Sequence, residues 1–506
     1  MHLLLIAASS LAFATAAQAQ DAPAPADQPV EVAEEKPDAV AEMEFLKAQV
    51  EALQAQVSEL SKATKAASPT WKGAPQWVDT AGWSFKPKGV IQFDAGYVSL
   101  PRKIAGTVPV AGTSAGSGVN TNNLGWGNRA RRLIFGAEGS IPGGFGYKLE
   151  LELSQGGVNY EDMVISYQKP GSPWSITVGH QYPLSSLELL TSNRFTTFME
   201  RAGNTDAFGY GRRLGTTIAY TDPAGLWALS GGVYSEDVAN ANVARTGWQA
   251  SVRGWYAPMV GDVQTHLGFQ FQHRNQPRDA QNVRYRQRPY TQVTDQRFLD
   301  TGAIAAKGDD ILGGELAAIY KSFHFASEYQ MVWVRSIALG TPLGINNATG
   351  TTNFAADDPK FRSGYVEVGY YLTGETRGYK GGKWDRTKVL HPVTDGGWGA
   401  WQINARADFT DLTDRVGGPA TIFVPPAAPA ANVPLTYING GVTKGYEASL
   451  IWLPMDYVKL MLQYAHSDIS GGPSARAFSG YTTPSPAGFR HKYGVDAVTL
   501  RSQLDF

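Results

Sequence analysis

Arg284, Arg286 and Arg288 alternate with Tyr285 and Gln287, a spacing of two that puts three guanidiniums on one face of an extended chain. Arg274, Arg278 and Arg297 lie close by in sequence. A guanidinium stays charged at any ordinary pH, and its fork of donors matches phosphate or carboxylate oxygens. A row of such groups can hand an anion from one weak site to the next, because conduction needs easy exit as well as favourable entry. The same stretch reads equally well as an outward loop whose arginines bind lipopolysaccharide or stay solvated. Further basic groups, Arg129, Arg131 and Arg132 and then Arg212 and Arg213, stand at or beside the ends of segments whose continuations are apolar by alternation. A basic side chain at a bilayer midplane costs about 2–4 kcal/mol, so these arginines are expected to point inward or sit at a rim.

Other chemistry has little support. The chain has no cysteine, which removes disulfides, zinc-thiolate sites and cysteine nucleophiles together. No G-x-S-x-G, H-E-x-x-H or phosphate-cradling glycine loop occurs, and the eight histidines are scattered without metal-ligand spacing. His324 and His466 read as polar lining or loop residues. No catalysis, metal or cofactor is therefore expected. The net charge of −1 supplies no global field for nucleic acid, so any anion preference must come from local clusters.

The elements that would position these arginines are strands. From about Gly82 to Phe506, apolar and polar residues alternate in short runs separated by Gly, Asn, Asp and Pro. In Tyr147–Leu153 the tyrosine and three leucines share one face, and Lys148, Glu150 and Glu152 share the other. Trp401–Phe409, Tyr457–Tyr464 and Val498–Phe506 repeat the pattern. Aromatics crowd the strand ends, among them Trp248, Trp255, Tyr256, Trp398, Trp401, Tyr446 and Trp452, as expected of girdles at two membrane interfaces. The charged faces, which include Glu328, Glu367 and Asp408, must then meet water inside. About 27 residues per strand and connection gives an all-β transmembrane antiparallel barrel of about sixteen strands over 82–506. Short turns such as 141–144 are expected on the periplasmic side. Long connections such as 101–124 and 273–310 are expected outside.

Ahead of the barrel the texture differs. Residues 1–19 read as a signal peptide, an apolar run from Leu3 to Phe13 followed by Ala17-Gln18-Ala19, with cleavage after Ala19. Residues 20–38, rich in Ala, Pro, Asp and Glu, read as a disordered linker, and 66–81 as a second linker. Between them, in 39–65, Leu46, Val50, Leu53, Val57 and Leu60 are spaced as the seam of a coiled coil. So short a helix makes most sense if several copies meet, as in a trimer; the alternative is a helix folded back on its own chain.

One stretch carries a family resemblance. Thr177-Val178-Gly179-His180-Gln181-Tyr182, then Ser186-Leu187-Glu188 through Thr191-Ser192-Asn193-Arg194, then Phe198-Met199-Glu200-Arg201, resembles the hallmark of the phosphate-selective porin O and P family. Arg131-Arg132-Leu133, Arg212-Arg213-Leu214-Gly215, Tyr370–Arg377 and the closing Asp496–Phe506 are similar as well. The resemblance implies a trimer of outer-membrane barrels, each narrowed by an inward loop over Leu184–Arg201. It also implies that Arg194 and Arg201 line the constriction. The helix-like pattern, with Leu187, Leu190 and Arg194 on a common side, reads equally well as a structural plug in which Glu188 and Glu200 anchor the basic residues. Many members carry lysine where this chain has Tyr182, which weakens the inference to phosphate. The function expected is a passive pore for small hydrophilic solutes that favours phosphate or similar anions, lodged in outer-membrane lipid and lipopolysaccharide with its N-terminal segment in the periplasm. A general porin without selectivity, or an envelope-spacing barrel with a coiled-coil arm, is the alternative.

Overall fold

A computed structural model describes residues 39–67, 70–71, 73–100, 124–154, 156–209, 211–236, 238, 247–338, 352–415, 434–435, 437–472 and 492–506. The signal peptide and first linker expected over 1–38 lie outside the described residues. Residues 1–65 and 66–506 are separate units. The first holds most of one helix, α1 (Ala39–Ala67), whose seam residues Leu46, Val50, Leu53 and Val57 are all exposed. In the second, part of the stretch expected to be a linker is ordered: Trp77 and Val78 pair with Phe85 and Ser84 at the start of the first long strand.

Sixteen long antiparallel strands close on themselves. They are β1 (Ser84–Val98), β2 (Gly125–Ile141), β3 (Phe145–Glu152), β4 (Asn159–Tyr167), β5 (Trp174–Gln181), β6 (Arg213–Thr221), β7 (Trp227–Tyr234) and β8 (Trp248–Tyr256). The second half is β9 (Val263–Asn275), β10 (Ala303–Tyr320), β11 (Phe323–Ser336), β12 (Lys360–Tyr371), β13 (Ala400–Arg415), β14 (Tyr437–Met455), β15 (Val458–Ser470) and β16 (Lys492–Asp505). Each strand pairs with its neighbour in sequence, and β16 pairs with β1 from Ala497↔Val98 to Asp505↔Val90. Closure leaves no long edge unpaired.

The wall is apolar outside and polar inside. On β3, Leu149 is 42 % exposed while Glu150 and Glu152 are 3 % and 5 % exposed. On β16, Val498, Leu500 and Leu504 face out, and Thr499, Arg501 and Gln503 are buried within. A water-soluble barrel reverses this arrangement; a lipid-embedded one requires it. Leu500→Arg is therefore expected to destabilise the barrel by about 2–4 kcal/mol, read from urea unfolding in lipid vesicles. Trp248, Tyr256, Trp398 and Tyr446 are exposed on the outer surface, and Trp401 stacks on Trp452 at 5.6 Å. Trp255 is a correction: it shares the inner face of β8 with Arg253, and its indole lies against Gly382 inside the barrel.

One end of the barrel has short turns, such as 142–144 and 321–322. That end also carries one long connection, 372–399, between β12 and β13, so the expected segregation of short and long connections has an exception. Within it Gly378–Lys380 and Lys383–Asp385 form a hairpin. Gly381 and Gly382 have φ of 57° and 70°, the doubly left-handed turn that a two-residue hairpin loop needs. From the other end, 182–212 and 276–302 also fold inward. The first holds α2 (Leu187–Leu190) and α3 (Gly203–Phe208), with Leu187 and Phe208 almost wholly buried; the second buries Tyr285, Tyr290, Phe298 and Leu299.

Candidate functional site

The segment 182–212 leaves the wall between β5 and β6 and is strapped to the opposite side. Its single turn of α2 is capped by Ser186, whose Oγ accepts from the Leu189 N–H at 3.3 Å. Beyond that turn the segment has few partners of its own, so wall side chains satisfy its backbone. Glu328 on β11 accepts from the Glu188 N–H at 2.6 Å, and Asp408 on β13 accepts from the Gly203 N–H at 2.6 Å. Gln463 on β15 accepts from the Met199 N–H at 2.7 Å, and Lys459 donates to the carbonyls of Arg194 and Thr196 at 2.9 and 3.0 Å. Gly203 sits so close to Thr410 and Asp408 that a side chain there has no room.

Two acids of this segment complete the docking. Glu188 accepts from the Ala202 N–H, the Thr205 hydroxyl and Arg406 on β13, all within 3.0 Å. Glu200 receives both arms of Arg131 on β2 at 2.8 and 2.9 Å, and Arg501 on β16 at 3.1 Å. Burial alone would raise the Glu200 carboxyl, but Arg131, Arg501 and Arg132 outweigh it and hold the group well below the usual carboxylate range. A depressed carboxyl stabilises the folded form above its unfolded pKa, about 4.3, and loses that contribution only as pH falls toward the folded value. The single-channel current should therefore stay quiet from pH 7 to 5. Glu200→Gln should flicker across that whole range, and a quiet Glu200→Gln channel would show that this strap does not hold the loop.

With the segment against the far wall, the open space lies beside β2, β3 and β4. A smaller cavity of about 250 Å³ is lined by Arg131, Arg288 and Gln292 among others. A larger cavity of about 580 Å³ lies beyond, beside Lys148, Arg194, Phe195, Lys380 and Lys383. Four side chains line both: Arg132, Tyr182, Leu189 and Arg201. They stand at the boundary of the two chambers, the neck. Basic side chains outnumber acidic ones seven to five around the larger chamber and four to two around the smaller.

The predicted site residues separate by their partners. Arg131 is locked to Glu200, Arg194 to Glu150 at 3.0 Å, Arg129 to Asp295 at 2.9 Å, and Arg284, Arg212 and Arg213 to Asp300, Asp162 with Glu161, and Glu236. Arg201 is different. It donates to the carbonyls of Glu188 and Thr191 at 3.1 and 2.9 Å, and no carboxylate lies within ion-pair distance of it among the described residues. Arg132 meets Glu161 and Glu152 only at 3.6 and 3.8 Å. Tyr182, just beyond the end of β5, has the Arg212 guanidinium 4.1 Å and that of Arg201 5.9 Å from its ring centre. Burial would raise its phenol, yet Arg212, Arg201 and Arg132 lower it, the signature of a locally positive potential.

Both Arg131 and Arg132 face inward because of a β-bulge. Gln92 on β1 pairs with Arg132 and Phe93 with Ala130, so Arg131 is the additional residue. Without that bulge, strict alternation would turn one of the two outward. Of the three alternating arginines on 276–302, Arg288 reaches the smaller chamber, while Arg284 and Arg286 are exposed. The stretch is thus a loop that contributes one rung. Lys380 and Lys383, at the tip of the inward hairpin, were not anticipated; both are exposed to the larger chamber and have no carboxylate partner among the described residues. The available signal was Lys-Gly-Gly-Lys, a two-residue hairpin loop between paired lysines.

The family model for phosphate-selective porin O and P matches residues 110–479. An uncharacterized protein of Caulobacter vibrioides is 34 % identical over 458 residues, covering 88 % of this chain and 79 % of its own. Among solved structures, an anion-selective porin from Comamonas acidovorans is 13 % identical, covering 84 % of this chain and all of its own, with a TM-score of 0.42. OprB of Pseudomonas putida is 8 % identical, with coverage of 84 % and 94 % and a TM-score of 0.46.

Proposed function

This chain belongs to the phosphate-selective porin O and P family, and from that premise we propose that it is a passive outer-membrane pore for small hydrophilic solutes that favours phosphate and similar oxyanions. The observation that carries the anion bias is the neck, where Arg201 has no carboxylate within ion-pair distance among the described residues and Arg132 meets Glu161 and Glu152 only at 3.6 and 3.8 Å. Fixed positive charge in a confined, water-filled space concentrates anions and repels cations. Lys148, Lys380 and Lys383 extend the basic lining beyond the neck, and Arg288 precedes it. Acids line the chambers too, so selectivity is graded and transport involves no chemical step. Zero-current potentials across a planar bilayer under a KCl gradient, followed by phosphate titration of the current, test this. A potential near the chloride limit with saturable phosphate block is expected, and cation preference would overturn the reading.

A second reading concerns assembly. The exposed seam of Leu46, Val50, Leu53 and Val57 favours α1 as a coiled-coil arm that joins three chains in the periplasm. Deleting 39–65 is expected to leave single-channel conductance within about 20 % of the full chain, because the lumen residues are unchanged, and to lower the temperature at which oligomers separate in detergent. Unaltered oligomers after deletion would assign the helix another partner, such as the envelope-spacing role.

A further inference from the structure

We propose that, among anions, the neck selects organic carboxylates with an aromatic body, of the benzoate type, over inorganic phosphate; this rests on the anion-pore reading above. The four side chains shared by the two chambers are two guanidiniums, one phenol ring and one isobutyl group. The donors come from Arg132 and Arg201; part of Arg201 is already committed to two backbone carbonyls, and Arg132 lies 3.6 and 3.8 Å from Glu161 and Glu152. Tyr182 presents a ring against the Arg212 guanidinium, and Leu189 offers nothing polar from its side chain.

A compact phosphate dianion is hydrated all round, and every oxygen stripped of water must find a donor. At this neck the apolar side chains cannot replace the water they displace. An aromatic carboxylate concentrates its polar demand at one end. Its head takes the guanidinium forks, and its ring leaves water against Leu189 and Tyr182, which is favourable. The larger chamber continues the same pairing, with half-buried Leu190 and Phe195 beside Arg194. Tyr182 is thus a specificity-determining residue. Lysine at that position would add a third cation and remove the ring, shifting the neck toward the compact dianion.

The full chain in planar bilayers, carrying KCl current, is titrated separately with benzoate, acetate and inorganic phosphate. Covering roughly 60 Å² of apolar surface corresponds to about tenfold in affinity, so benzoate is expected to half-block the current about tenfold below acetate and below phosphate. Tyr182→Phe should preserve that order. Tyr182→Lys should abolish the benzoate advantage and lower the phosphate concentration for half-block. Phosphate blocking at or below the benzoate concentration in the unmodified channel, or a ratio unmoved by Tyr182→Lys, would overturn the inference. Zero-current potentials from the same membranes separate the two levels. Cation preference overturns the pore reading and this inference together, whereas anion preference with benzoate no stronger than acetate overturns this inference alone.

Discussion

An Arg201→Glu channel is expected to lose its preference for anions. The exchange alters two unit charges at the neck, each worth about 0.8 kcal/mol to an ion roughly 5 Å away in a water-like dielectric. Together they reduce anion occupancy more than tenfold and raise that of cations by a similar factor. The zero-current potential under a KCl gradient should swing toward the potassium side, although Arg132 remains in place. Arg201→Gln is the control: its amide can still donate to the Glu188 or Thr191 carbonyl, so the segment stays seated while one charge disappears. About a fourfold loss of anion occupancy is expected there. If both variants keep the parent potential, selectivity resides elsewhere along the lumen.

Arg406→Ala should act on the shape of the passage. Arg406 bridges Glu447 on β14 at 2.6 Å, Glu188 at 3.0 Å and the Glu200 carbonyl at 2.9 Å, with its guanidinium 4.4 Å from the Phe198 ring centre. Truncation strands two buried carboxylates without their cation, a class of change that costs about 3–5 kcal/mol. The cheapest relief is for Glu188 to leave with the segment that carries it. Larger, noisier unit conductance is expected, with proteolytic cleavage between 182 and 212 and lower resistance to urea. Arg406→Lys keeps a charge but cannot fork between two carboxylates, so it should fall between the parent and the alanine variant. A parent-like conductance in Arg406→Ala would mean that the remaining straps suffice.

The barrel was legible in the sequence because a period of two is a local property: Tyr147–Leu153 declares its two faces without reference to any partner strand. Trp255 shows how far that logic reaches, since Arg253 two positions earlier already marked its face as the inner one. The double arginine of β2 was beyond it. Whether Arg131 and Arg132 share a side depends on the register with β1, about forty residues earlier in the chain, which no local pattern encodes. Glu188 and Glu200 as anchors belong to the reading of this segment as a structural plug, and the structure places both in ion pairs with wall arginines. Which arginines remain open to a solute could not be read from the sequence, because each pairing joins residues from different strands. Arg194 and Arg201 look alike in one dimension, yet one is paired with Glu150 and the other is not.

Arg501 couples two closures. On the last strand it grips Asp94 on the first at 2.7 Å through both arms, across 407 positions of sequence, and with the same guanidinium holds the Met199 carbonyl at 2.6 Å and Glu200 at 3.1 Å. The seam that zips the cylinder shut and the clasp that keeps its throat narrow are one side chain. A wall closed without the 182–212 segment in place would leave that guanidinium with donors unanswered, so closure of the wall and seating of the segment are coupled through one residue.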